Sequence, residues 1–140
     1  MVMPVIEVSY IGVLVAAVVS FAIGMAWYSP LLFGKAWMKL MGFTEGKVKE
    51  KKKGMGKTMA AGFAAVLVMS YVMAYIVGFS QAASVTEGAE AGFWVWLGFV
   101  ATVMINSVLW EGKPVKLYAL NVAHYLVVLL VMGAILAVWV

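Results

Sequence analysis

Few residues in this chain have the chemistry to act on anything. It contains one histidine, His124, and no cysteine. Every acidic residue is a glutamate and every basic one a lysine. A tetrahedral metal site draws three or four His, Cys or carboxylate ligands from one chain, so no metal is expected. An oligomer that gathers His124 from several subunits around an axis would be the one escape. Ser20, Ser70 and Ser107 have neither a base nor an acid at helical spacing, which leaves nucleophilic catalysis without footing. Gly54-Met55-Gly56-Lys57 resembles part of a phosphate loop, but it follows no strand and lacks the spacing. No catalytic residue and no cofactor are therefore expected.

The remaining candidates are polar groups inside apolar runs, where each is costly unless paired. At about 100° per residue, Tyr118, Asn121, His124 and Tyr125 fall within roughly a third of one helix circumference. Asn106 and Trp110 share a face of the preceding run with Thr102. If the two runs pair antiparallel across their short connection, Asn106 and Asn121 meet and His124 lies just above them. The candidate polar pocket is thus Asn106, Trp110, Tyr118, Asn121, His124 and Tyr125. Two readings stay open: a pocket with His124 as its titratable member, or side chains that hydrogen-bond only to hold helices together. In either case burial disfavours an imidazolium. A neutral ring bonded to Asn106, Ser107 or a backbone carbonyl is expected.

The elements that position these groups follow from composition. Of 140 residues, 66% are hydrophobic and 11% charged, against about 45–50% and 25% in soluble domains. Mean hydropathy is +1.04. A soluble enzyme domain, a disordered tail and a disulfide scaffold are excluded. A spanning helix needs about 20 apolar residues. Four stretches qualify, at about 8–28, 58–79, 91–110 and 117–140. Their apolar residues run continuously, without the alternation of strands. One all-α transmembrane domain over 1–140, a four-helix bundle, is predicted. The first span lacks a basic leader and is too long for a signal-peptide core, so it is expected to persist as a span.

Eight lysines fall between spans one and two and two between spans three and four, whereas the second connection holds Glu87 and Glu90. Basic loops stay in the cytoplasm. The cell membrane is the expected location, with loop 29–57 inside and both termini outside. Lys47, Lys49, Lys51, Lys52, Lys53 and Lys57 would lie over anionic headgroups of the inner leaflet, each worth about 1 kcal/mol. Without arginine there is no bidentate recognition of phosphate or guanine, and a nucleic-acid partner is rejected.

The first span leaves through Trp27-Tyr28-Ser29-Pro30-Leu31-Leu32-Phe33-Gly34-Lys35-Ala36-Trp37. Pro30 disfavours helix at Ser29 and suits the start of a new, short interfacial helix. Trp27, Tyr28, Pro30, Phe33, Gly34 and Trp37 form either an aromatic belt at headgroup depth or a lid over a cavity that opens inward. The same run resembles the signature of a family of small bacterial and archaeal four-helix membrane proteins of unknown function. Trp110-Glu111-Gly112-Lys113, Asn121, Gly133 and Trp139 extend the resemblance over nearly the whole chain. It implies a fold and a membrane location and no activity.

Small residues recur every four positions: Gly12, Ala16, Ser20 and Gly24 in span one, Ala60 and Ala64 then Ser70, Ala74 and Gly78 in span two, Gly133 and Ala137 in span four. Such stripes let helices approach closely in lipid. The favoured function is a homo-oligomeric bundle that binds a lipid or small molecule. A transporter or channel subunit with a polar inner-half pocket and an accessory subunit of a larger complex are the alternatives.

Overall fold

The computed structural model describes residues 5–139, so Val140, placed at the end of the fourth span by the sequence, lies outside the described residues. The chain forms an all-α bundle of four long helices with two short ones inserted after the first. Helix α1 (Tyr10–Trp27) begins where the Ser9 hydroxyl accepts from the Gly12 amide at 3.1 Å, a side-chain cap on a free N–H. It stops before Pro30. The Phe33 amide bonds back to the Trp27 carbonyl and the Gly34 amide to that of Ser29, both at 2.9 Å. A Cβ on Gly34 would stand 2.5 Å from the Tyr28 carbonyl oxygen, so only glycine closes this turn.

Helix α2 (Gly34–Met41) ends at Gly42, whose φ of 71° is left-handed. Helix α3 (Glu45–Lys52) is capped by the Thr44 hydroxyl. The Lys51 ammonium lies 4.2 Å above the Phe43 ring, a cation–π contact that ties α3 to its entry. Helix α4 (Met55–Ser80) returns through the bundle. The third long helix, α5, spans Val85–Leu109. Ser84 and Glu87 cap it reciprocally: the Glu87 amide donates to the Ser84 hydroxyl, which donates to the Glu87 carboxylate. This cap starts the helix at Val85, ahead of the apolar run near Ala91. Glu87 and Glu90, expected in the connection, therefore sit in its first turns. Midway, Trp96–Ala101 widens into a π-helical turn. Pro114 then leads into α6 (Val115–Val138).

Helix α6 packs on all three other long helices, most extensively on α5. The core is Ala16, Met73, Val77, Val128, Leu129, Met132 and Ala137. Glycine sets the closest approach. A Cβ on Gly88 would collide with the Gly133 carbonyl, and one on Gly92 with the Leu129 carbonyl. The stripe in α5 answers Gly133. At the same end Gly12 lies under the Trp139 indole. The buried Ser70 hydroxyl donates to the Val13 carbonyl at 2.9 Å, joining α4 to α1. All four long helices are long and apolar enough to cross a bilayer, and the chain is a multi-pass membrane protein. Because they alternate in direction, every lysine lies at one end of the bundle.

Candidate functional site

At the lysine end, the turn after α1 reaches across to the start of α6. The Trp27 indole N–H donates to the Leu120 carbonyl at 3.2 Å, and the Tyr28 hydroxyl donates to Asn121 Oδ1 at 2.8 Å. Phe33 packs on Trp27 with ring centres 4.7 Å apart, and Trp37 packs edge-on to Tyr28 at 5.6 Å. Five of the six residues of the aromatic motif thus make a strap fastened to α6, with Gly34 as its turn. Pro30 sits at the exposed tip.

Behind the strap lies an open cleft of about 630 Å³ between α2, α5 and α6. Tyr28, Trp37 and Met41 form one wall, Asn121 and Tyr125 another, and Asn106 and Ser107 a third. Glu111 and Lys113 stand at its mouth, and Val103, Met104 and Leu117 add apolar lining. Met41 and Lys113 were not among the expected pocket residues: Met41 reaches the cleft because α2 packs against α6, and Lys113 because the chain turns at Gly112, which has φ 68°.

The structure corrects the expected pocket at four residues. Asn106 and Asn121 line one cleft but do not bond: Asn106 Nδ2 donates to its own helix at the Val103 carbonyl, 3.0 Å away, while Tyr28 takes Asn121. Trp110, 84% exposed, lies outside the cleft. Tyr118 points elsewhere, its hydroxyl donating to the Ala101 carbonyl at 2.7 Å within the widened turn. His124 is turned away from Asn106 and Ser107 and bonds to neither. Its ring stands among Tyr125, Tyr28 and Trp27, with centres 4.7, 5.2 and 6.1 Å away. Neither ring nitrogen has a hydrogen-bond partner among the described residues, and the same holds for the Ser20 hydroxyl. Each unsatisfied buried polar group costs about 1–3 kcal/mol.

The two asparagines therefore differ in what their loss would do. Asn121→Leu leaves the Tyr28 hydroxyl without its acceptor and is expected to cost about 1 kcal/mol, the scale of membrane hydrogen bonds. Asn106→Leu removes only a local bond on an exposed side chain and should stay within about 0.5 kcal/mol of the parent. Reversible unfolding of both variants in mixed micelles measures the difference. Equal costs would mean the strap is not held through Asn121.

Residues 11–137 match the family described as protein of unknown function (DUF1761). The chain belongs to that family. Its match begins at the second residue of α1 and ends one residue before the last of α6, so the strap, the cleft and all but the outermost residue of the first and last long helices of this DUF1761 chain fall within it. No curated protein and no solved structure matches the chain.

The six lysines of the basic segment, Lys47, Lys49, Lys51, Lys52, Lys53 and Lys57, are all exposed on and just beyond α3. Two of them, Lys47 and Lys51, share the Phe43 ring. They form the rim of the same end of the bundle, beside the cleft and not inside it.

Proposed function

We propose that this protein is a membrane-embedded binding protein that takes an amphipathic small molecule or lipid into the cleft behind the strap, from the cytoplasmic side. The cleft of about 630 Å³ carries this reading. Its lining runs from a charged mouth at Glu111 and Lys113, beside apolar Leu117, through Asn106 and Asn121, to Val103 and the Tyr125 ring one turn further in. Such a gradient suits a molecule with a polar head and an apolar body. No bond-making step is assigned to the chain. The exposed lysines supply attraction to anionic headgroups, and assembly as a homo-oligomer completes the proposal. Intact mass spectrometry of protein extracted without detergent tests it. An oligomer with a retained small molecule, lost in Asn121→Leu, supports the reading; a bare monomer overturns it.

The orientation is equally testable. A chain without cysteine gives no background. In intact cells an impermeant thiol reagent is expected to label Glu87→Cys and to spare Gly54→Cys. The reverse pattern would place the lysine end outside.

A second reading is favoured by one observation. Tyr125 lines both this cleft and a second hollow deeper in the bundle, so one side chain separates two cavities along α6. Solute flux in reconstituted vesicles that depends on Asn121 would make the protein a transporter or channel subunit.

A further inference from the structure

The second hollow, between α1, α4 and α6, encloses about 330 Å³. Phe21, Val66, Met69 and Val128 make its walls apolar. Two polar side chains on its lining are almost wholly buried, Ser20 at 2% and His124 at 8% exposure, and neither has a hydrogen-bond partner among the described residues. Ser20 has the one buried serine hydroxyl without a hydrogen-bond partner among the described residues. Ser29 and Ser80 each donate to a carbonyl one turn back, and Ser70 donates across to α1. A serine hydroxyl shielded from water ordinarily settles on a carbonyl in this way; that of Ser20 does not.

Two glycines make the room. A Cβ on Gly24, one turn beyond Ser20, would stand 3.1 Å from His124 Nε2, and one on Gly62 would meet Phe21 at 3.8 Å. The mouth is bounded by Met25, which is 53% exposed, and by exposed Ala65. Both lie within the apolar length of α1 and α4, so the hollow opens sideways toward hydrocarbon, in the half of the bundle nearer the lysines.

We propose that this hollow binds a bilayer-dissolved molecule with an apolar tail and an uncharged hydroxyl head. A neutral imidazole offers one donor and one acceptor, and a serine hydroxyl offers the same. A hydroxyl head both accepts and donates, and so answers both residues at once. A charged head is excluded, because no side chain lining the hollow carries a compensating charge. The proposal is independent of the cleft behind the strap, with which the hollow shares only Tyr125.

The single histidine makes the test direct, since the ring nitrogens of His124 are the only imidazole signals in the chain. The full-length protein, labelled with nitrogen-15 at histidine and placed in lipid nanodiscs, is titrated with 1-decanol, decane or decanoate. Decanol is expected to move both ring signals saturably, whereas decane and decanoate leave them in place. Ser20→Ala has no hydrogen bond to lose on folding and should weaken the decanol response about fivefold. Gly62→Leu fills the hollow from the Phe21 side and should abolish it. Ring signals that ignore decanol overturn the proposal, as do equal shifts with decane. So does a decanol shift undiminished in Gly62→Leu, which would mark an effect of the alcohol on the bilayer.

Discussion

Gly133→Leu is expected to part α5 from α6. The Gly133 backbone meets the Gly88 backbone carbonyl, and a Cβ on either glycine would stand inside the other's carbonyl group. Backbone has no rotamer with which to yield, so the helices must move apart. Leu129 and Met132, both almost fully buried on the same stretch of α6, then lose their neighbours on α5. Overpacking costs about 1–3 kcal/mol where side chains can shift. With backbone on both sides the effect should reach at least about 3 kcal/mol. Denaturation in mixed micelles reads this as a lost or strongly lowered midpoint. The control is Gly98→Leu, where a new Cβ meets nothing within 4 Å, and where a change under about 0.5 kcal/mol is expected. Equal behaviour of the two variants would show that α5 and α6 do not associate through Gly88 and Gly133.

The second large effect is expected at Gly34→Val. The turn Tyr28–Gly34 folds so tightly that a Cβ on Gly34 would press on the Tyr28 carbonyl oxygen and the Ser29 carbonyl carbon, at 2.5 and 2.7 Å. Opening it breaks the amide bonds of Phe33 and Gly34 to Trp27 and Ser29. The bonds from Trp27 and Tyr28 to Leu120 and Asn121 depend on that turn and go with it. A loss of about 2–3 kcal/mol is the expected scale, together with a red shift of tryptophan emission as Trp27 and Trp37 lose their packing. Gly46→Val, in open space on α3, should leave emission unchanged. If Gly34→Val kept the parent spectrum, the strap would not depend on its turn.

The four spans were legible because crossing a bilayer is a demand on composition: about 20 apolar residues must run together, whatever they touch. Pro30 announced the end of α1 for an equally local reason. The cleft was not legible, because its key bond joins Tyr28 to Asn121 across 93 positions, and no spacing within one helix reveals a partner on another. The expected meeting of Asn106 and Asn121 failed on geometry. Asn106 Nδ2 turns back to the Val103 carbonyl of its own helix, and Asn121 is taken by the Tyr28 hydroxyl from beyond α1. At the widened turn Trp96–Ala101, the Thr102 and Tyr118 hydroxyls donate to the Gly98 and Ala101 carbonyls. That is why Tyr118 was spent there and not in the pocket. Ser20 was visible as a small residue in a stripe; only burial without a partner sets it apart. Gly88 and Gly92, four apart, carry the same spacing signal as the small-residue stripes of the other three spans.

Charge is divided unevenly between the two ends of the bundle. Ten lysines and three glutamates, Glu45, Glu50 and Glu111, crowd one end, while Glu7, Glu87 and Glu90 belong to the other. The molecule is in effect an electric dipole fixed across the insulating layer of the membrane. A respiring cell keeps its interior negative, and that voltage acts on each elementary charge with about 2.3 kcal/mol per 100 mV. With the lysine end facing that interior, as proposed above, turning the bundle over would carry the whole imbalance against the field, at a cost of roughly 20 kcal/mol at 100 mV. In the proposed orientation, the potential that a membrane maintains for other purposes would also lock the direction of the protein after insertion, however weakly the lysines held lipid.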